Sequence, residues 1–247
     1  MIQDIHSHTY YSFCGGDRPE EVVEKAIAGG IELFGICDHN YGVGFGRPDL
    51  FAASATDIST SYGRNLVRYF DHINLIKEKY ADRIKILRGI EIATLNDKRY
   101  PLPDDVDISF FDYCLIEHID CGNSTSDGDL FSFAKRCGCQ AGVAHTDLFK
   151  HAESLGVKPI DYFKRMAEEN IFWEMNVSYD SIHGYREHAY MLRFFENEAE
   201  QEIVRESGVK LSVGFDGHRC NEYLPDRVKD YCGRIEKMGI PMIFDNK

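Results

Sequence analysis

The sequence predicts an α/β fold, a closed or nearly closed β/α barrel that forms a single domain over residues 1–247. Strand-like and helix-like stretches alternate almost throughout, in about seven repeats, a pattern typical of a parallel β/α barrel. A length of 247 residues fits one such barrel. Hydrophobic residues make up 43% of the chain and charged residues 28%, which is ordinary for a globular protein.

The predicted strands are short apolar runs. They cover residues 2–5, 33–37, 84–92, 113–117, 140–144, 172–177 and 210–215. Helical spacing of apolar residues predicts helices over 18–28, 62–80, 130–137, 160–169, 190–207 and 227–238. Asp17 is the expected cap of the first helix, which has Pro19 in its first turn.

Two connections stand out from this alternation. Residues 41–56 contain glycines and Pro48 without a clear period, which predicts an active-site loop. A second segment, around Pro101 and Pro103, resembles a hairpin.

The charge of the chain limits its partners. A formal net charge of −13 without a cluster of Lys or Arg argues against duplex nucleic acid. A small anionic substrate is compatible with this charge, because bound divalent cations can reverse the local electrostatic field of an acidic protein. We expect a cytoplasmic protein without a membrane partner, since we find neither a basic leader nor an apolar run of membrane-spanning length. The oligomeric state is open.

The eight cysteines are scattered, and several lie in strand-like surroundings, so we expect reduced thiols. Cys137-Gly138-Cys139 has one intervening residue rather than two, and no second pair completes a set of four metal ligands.

Histidines and acids fall at the carboxyl ends of the predicted strands. In chain order they are His6 and His8, Asp38 and His39, Glu91, His118, His145, and Asp216 and His218. Those strand ends converge on one face of a β/α barrel, the face on which such folds place their active sites. Residues far apart in the sequence are therefore expected to meet.

The ligand types predict a metal centre. His6-Ser7-His8 places both imidazoles on the same side of an extended chain, and Asp216-Gly217-His218 repeats the spacing. Imidazole and carboxylate suit Zn²⁺, Mn²⁺ or Fe²⁺, and so many ligands imply two or three ions. A single histidine after a strand is more often a packed or hydrogen-bonded residue than a ligand.

Two acids favour the metal interpretation. Glu91 and Asp216 lie beside apolar neighbours, where an uncompensated carboxylate would be costly. Three histidines outside the strand ends are assigned to surface or packing roles: His72, His151 and His188.

Six motifs in this order resemble those of the PHP (polymerase and histidinol phosphatase) superfamily. They are His6-Ser7-His8-Thr9, Cys37-Asp38-His39, Gly89-Ile90-Glu91, Glu117-His118, Ala144-His145 and Asp216-Gly217-His218. The resemblance covers residues 2–219 and implies a distorted (β/α)7 barrel that hydrolyses phosphate esters with two or three metal ions.

The resemblance also implies a distribution of ligands. One ion would be held by His6, His8, Glu91 and Asp216, and a second by Glu91, His118 and His145. A third would use His39, His218 and position 14, where this chain has Cys although the family more often has His or Asp. A thiolate there could bind Zn²⁺, or the third site could be weak or empty.

The expected reaction uses activated water, because neither a G-x-S-x-G elbow nor a cysteine phosphate loop is found. Asp38 is the candidate catalytic side chain, as an acid that orients a ligand or relays a proton; a loop cap is the alternative. Arg219 and His183 are candidate substrate-binding residues, and Arg47 and Arg186 are further candidates; each could instead be a solvated surface group.

The predicted function is hydrolysis of a small phosphorylated metabolite, a phosphate monoester for which L-histidinol phosphate is the leading candidate through the resemblance. Two alternatives are a phosphodiesterase or protein tyrosine phosphatase of the same superfamily, and a non-catalytic or polymerase-associated metal module. The loop over residues 41–56 would discriminate them, since a closed pocket fits a metabolite and an open groove fits a peptide or strand.

Overall fold

The computed structural model describes residues 1–45, 55–96, 101–126 and 129–245. The strands in this part of the chain form one parallel sheet in sequence order. They are β1 (Gln3–Asp4), β2 (Leu33–His39), β3 (Lys85–Ala93), β4 (Tyr113–Glu117), β5 (Gln140–Val143), β6 (Phe172–Asn176) and β7 (Leu211–Gly214).

Helices alternate with these strands. They are α1 (Pro19–Ala28), α2 (Asn40–Phe45), α3 (Ala55–Lys79), α4 (Leu130–Cys137), α5 (Leu148–Ser154), α6 (Pro159–Glu168), α7 (Ala189–Glu196), α8 (Glu198–Ser207) and α9 (Pro225–Met238).

Hydrogen bonds between β1, β7 and the residues that directly follow them bring the two edges of the sheet together. The Ile5 N–H donates to the Val213 carbonyl at 3.0 Å, and the Asp216 N–H donates to the His6 carbonyl at 2.7 Å. One step further along, the His8 N–H donates to the Gly217 carbonyl at 2.8 Å. The sheet is therefore a nearly closed barrel, and the predicted distorted (β/α)7 fold is confirmed.

Apolar side chains fill both sides of the sheet. The barrel interior holds a small cluster, and a larger one lies between the strands and the helices. In the interior, the Tyr113 hydroxyl donates to the Ile5 carbonyl. Gly35 and Gly89 make room for this ring, because a Cβ at either position would collide with it. The amino-terminal end of the barrel is thereby packed, and the polar residues lie at the other end.

Several predicted boundaries differ from the observed ones. Asp17 does not cap α1: its carboxylate accepts from the Cys220 N–H at 2.6 Å, while Glu21 accepts from the Arg18 N–H at 2.8 Å. The residues predicted as a loop begin with the short helix α2, and 46–54 lie outside the described residues. α3 begins earlier than predicted, and α5 was not predicted at all.

The segment around Pro101 and Pro103 forms turns rather than a hairpin, and 97–100 lie outside the described residues. The predicted helix over 190–207 is two helices, divided at Asn197. Among the described residues we find no helix with both the length and the apolar composition that a bilayer crossing requires. All eight cysteines are free. The assignment of 1–247 to one domain and the cytoplasmic location stay predictions.

Candidate metal centre

The polar residues at the carboxyl ends of the strands converge on one site, as the sequence predicted. Three of them lie in the left-handed region of backbone conformation, which is unfavourable for residues other than glycine: His118 with φ 64°, His145 with φ 24° and Asp216 with φ 55°. Each directly follows a strand or lies two residues beyond it. Such strain persists only where the surrounding structure holds it, and it is common at functional sites.

Four buried side chains meet at the centre of this face. The Nε2 atoms of His6 and His8 are 3.2 Å apart. His8 Nε2 lies 3.0 Å from Asp216 Oδ1, and His6 Nε2 lies 3.3 Å from Glu91 Oε1. All four side chains are almost completely buried. Two imidazole nitrogens and two carboxylates therefore point at one small volume.

The proton on His6 is placed by Glu174. His6 Nδ1 lies 2.7 Å from Glu174 Oε1, and an ionised carboxylate can only accept, so Nδ1 carries the proton. In the neutral ring, Nε2 is then left with its lone pair. Gly214 permits this contact, because a Cβ there would collide with the Glu174 carboxylate and the His6 side chain.

Ser12 and Asp38 place the proton on His8 in the same way. The Ser12 hydroxyl donates to Asp38 Oδ1 at 2.6 Å and so accepts from His8 Nδ1, 3.1 Å away. The same hydroxyl oxygen accepts the His39 N–H at 2.9 Å. The Asp38 carboxylate also accepts from the Thr9 N–H, the Thr9 hydroxyl and the Ser12 N–H. Asp38 thus caps the loop after β1 and positions His8 through Ser12.

A second group lies beside the first. His39 Nδ1 is 2.8 Å from Glu91 Oε2 and 3.3 Å from Glu117 Oε1. These three atoms are buried and yet not aligned for hydrogen bonds with one another or with any described residue. Glu91 also has its other oxygen 3.1 Å from His145 Nε2. Glu91 therefore lies between the two groups, where it can bridge them.

A third group includes Cys14. Its thiol is a neighbour of His218 and His39. Burial raises the pKa of the Cys14 thiol, but the neighbouring His218 and His39 outweigh burial, so the pKa lies below its ordinary value. The rings of His39 and His218 both stack on the ring of His8, with centroid distances of 4.5 Å and 4.6 Å.

The loop after β6 adds Asp180 and His183. Asp180 Oδ1 lies 2.7 Å from His183 Nδ1, and its Oδ2 lies 3.4 Å from His218 Nδ1. His183 Nε2 is 3.0 Å from Asp216 Oδ2. His183 is therefore connected to the central group by its contact with Asp216.

The charges of the site are balanced between imidazoles and carboxylates. Burial lowers the pKa of His6, but Asp216, Glu174 and Glu91 outweigh it and raise that pKa well above its usual value. Burial and the neighbouring His39 lower the pKa of His8 to about 4. Burial raises the pKa of Glu91, but the neighbouring His39 and His6 outweigh burial and lower that pKa well below the usual range.

These atoms fit divalent ions. Within the described ranges, four groups each bring three ligand atoms within 4.8 Å of one another. They are His6, His8 and Asp216; His8, His39 and His218; His39, Glu91 and Glu117; and Asp180, His183 and His218. With both rings neutral, two Nε2 lone pairs face each other beside unpaired buried carboxylate oxygens, and a divalent cation would satisfy both. Imidazole and carboxylate ligands are those preferred by Zn²⁺, Mn²⁺ or Fe²⁺.

A family model described as the PHP domain matches residues 4–238. The chain belongs to the PHP domain family. The resemblance drawn from the six sequence motifs is confirmed, because the matched range contains all six motifs.

Two relatives from Lactococcus lactis subsp. lactis IL1403 accompany this PHP match. A histidinol-phosphatase is 26% identical over 133 residues, an alignment that covers 53% of this chain and 45% of that relative. A solved structure of histidinol phosphate phosphatase in complex with Zn, L-histidinol and phosphate has a TM-score of 0.55 and 16% identity. That superposition covers 98% of this chain and 95% of the other, and it shows a shared fold.

The predicted PHP site residues do not all lie equally deep. His118 is at the margin: its side chain is 35% exposed, its Nδ1 is 2.9 Å from Glu117 Oε2, and its ring is 6.1 Å from that of His145. Arg219 is exposed, and it lines a small cavity with Lys25 and Cys220. Their roles as metal ligand and substrate-binding residue stay predictions. Arg47 lies outside the described residues.

Sequence reasoning missed three acids, Glu117, Glu174 and Asp180. Besides its contact with His6, the Glu174 carboxylate accepts the His145 N–H at 3.0 Å. Glu117 and Glu174 belong to strands that are buried on both faces, where an acid already requires a partner, and this signal could have found them.

The sequence predicts a surface or packing role for His188, and in the structure this side chain packs beside the site. Its ring stacks on His145 with centroids 5.9 Å apart. It therefore borders the site.

Proposed function

We propose that this chain is a metal-dependent phosphoesterase that hydrolyses the phosphate monoester of a small metabolite. The observation that carries the proposal is the meeting of His6, His8, Glu91 and Asp216, with two imidazole Nε2 atoms 3.2 Å apart between two buried carboxylates. Membership of the PHP family supports the same conclusion.

The proposed ligand sets follow the geometry and the family resemblance. The first ion is assigned to His6, His8, Glu91 and Asp216. A second is assigned to Glu91, His145 and His118, and the position of Glu117 makes it a further candidate there. A third is assigned to His39, His218 and Cys14; the ligand atoms of the two histidines lie within 4.8 Å of each other, and Cys14 is the candidate through the family resemblance.

Bound divalent ions would supply a water of lowered pKa and would neutralise charge that develops on the phosphoryl oxygens. The chain itself supplies orientation. Glu174 fixes the ring of His6, and Asp38 acts on His8 through Ser12. We therefore treat Asp38 as a positioning residue. His183 and Arg219 are proposed to bind the substrate, His183 from its position beside Asp216.

L-histidinol phosphate is the substrate to test first. Support comes from the names of the two Lactococcus lactis relatives, one of which has L-histidinol and phosphate bound. The low identities mean that a panel of other phosphate monoesters belongs in the same experiment.

The experiment measures phosphate release after loading the chain with Zn²⁺, Mn²⁺ or Fe²⁺. We expect metal-dependent release, lowered by about two orders of magnitude or more in Glu91→Gln, which keeps the side-chain volume but removes the bridging charge. Glu206→Gln is the matched control, since Glu206 is exposed on α8, a helix that contributes no residue to the candidate site.

Two results would count against the proposal. Metal bound without release from any monoester in the panel would reject the phosphomonoesterase assignment. Release that Glu91→Gln leaves unchanged would reject the site.

A further inference from the structure

Three cysteines meet on the outer side of the barrel, away from the metal site. Cys114 lies in β4, Cys137 ends α4, and Cys139 comes just before β5. Cys114 and Cys137 belong to the same buried cluster, Cys139 packs against it, and the Cys114 thiol lies within interaction range of both other thiols. Cys114 is therefore a common neighbour of the other two thiols.

The chain path explains why these thiols are close. β4 and β5 pair in parallel with Cys114 opposite Ala141, two residues after Cys139. α4 ends at Cys137, and Gly138 turns the chain with φ 71°, in the region that favours glycine. The Cys-Gly-Cys spacing, unsuited to a zinc knuckle, thus presents two thiols to a third one from the neighbouring strand.

The three thiols differ in access to solvent. Cys114 and Cys137 are buried, with exposed fractions of 0% and 1%. Cys139 is partly exposed and lines an open surface groove together with Lys135, Gln140 and Glu169. A small solute in this groove meets Cys139 first.

We propose that Cys139, Cys114 and Cys137 form an oxidation site for small hydroperoxides, in which Cys139 is oxidised first and Cys114 captures it as a disulfide. This inference does not rest on the proposed phosphoesterase function.

The reaction balances with hydrogen peroxide as the oxidant. The Cys139 sulfur attacks one peroxide oxygen, so that an S–O bond forms, the O–O bond breaks and water leaves. The Cys114 sulfur then attacks the Cys139 sulfur, and the sulfenic oxygen leaves as a second water with the proton of Cys114. Two thiols lose two electrons and two protons in total. Cys137, in contact with Cys114, can then exchange and release Cys139 as a thiol.

The test treats the full chain, loaded with redox-inactive Zn²⁺, with hydrogen peroxide and then maps its disulfides by mass spectrometry after alkylation. We expect a crosslink between the peptide that contains Cys114 and the one that contains Cys137 and Cys139, reversible by dithiothreitol. Sulfinic acid at Cys139 without this crosslink would overturn the proposal, as would three unmodified thiols under conditions that oxidise the partly exposed Cys121.

Variants identify the thiols involved. Cys139→Ser changes a partly exposed position and is expected to abolish the crosslink while the fold is retained. Cys114→Ala is expected to let Cys139 proceed to sulfinic acid. Cys232→Ala is the control, because that buried thiol bonds to the Gln3 carbonyl instead of another thiol. A crosslink that survives in Cys139→Ser, or disappears in Cys232→Ala, would contradict the assignment.

Discussion

Single residues behind the candidate ligands set which nitrogen of each histidine can bind a metal. Glu174 holds the Nδ1 proton of His6, and Ser12 holds that of His8. Both Nε2 atoms therefore face the centre of the site. Interactions of this kind commonly change metal affinity by about 10- to 100-fold when they are lost.

We expect Glu174→Gln to weaken metal binding by about 10- to 100-fold, because the amide accepts more weakly than a carboxylate and can present the wrong atom to His6. Competition with a chromogenic chelator measures the affinity. Glu206→Gln serves again as control, and an unchanged affinity in Glu174→Gln would show that Glu174 does not orient His6 for binding.

Asp38→Asn tests the two roles that the sequence left open for Asp38. As a positioning residue, it acts on His8 through Ser12, so the variant should lose activity at limiting metal and regain most of it with excess metal. Activity that stays low in saturating metal, with an altered pH profile of kcat, would instead favour proton relay by Asp38.

At the scale of the element, strand positions could be predicted well and helix ends less well. β4 and α4 have the predicted bounds, because each is a clear apolar run with definite ends. α2 was missed since Gly42 and Gly44 disfavour a helix; they are needed there because added Cβ atoms would collide with Tyr11 and Tyr62. α5 has only seven residues, too few to display a period.

Asn197 shows how one side chain divides a helix. Its side chain accepts from the N–H groups of Ala199 and Glu200, which starts α8 directly after α7. We expect Asn197→Ala to lower the free energy of unfolding by about 1 kcal/mol through the lost cap. Urea denaturation measures the free energy of unfolding, and the metal content of the variant, which we expect to be unchanged, is the control. Equal stability of the variant would mean that packing alone sets the break.

For the whole molecule, the barrel explains why so much of the site could be predicted. Parallel strands bring their carboxyl ends together, so residues as distant as His6 and Asp216 were expected to meet, and they do. The sequence could not show how deep each side chain lies. His118 is consequently more marginal than predicted, while Glu117 takes a place beside His39 and Glu91.

Metal binding should stabilise the whole chain. The folded site collects ligands from nearly every strand, whereas the unfolded chain does not, so bound ions shift the folding equilibrium. At a free metal concentration of about 100 times Kd, the gain is about 2.7 kcal/mol per site. We expect a chelator to lower Tm and readded metal to restore it, as followed by calorimetry; an unchanged Tm would argue that the site does not hold metal in the folded protein.

The central claim is that these converging side chains hold a multi-metal centre. Its most direct test is the metal content per chain, measured by elemental analysis after reconstitution with Mn²⁺ or Zn²⁺ and removal of free ions, in the wild type and in Glu91→Gln. We predict about two or three ions in the wild type and at least one fewer in the variant, because Glu91 lies between two of the groups. A wild type without stoichiometric metal, or a variant with the same content, would contradict the account.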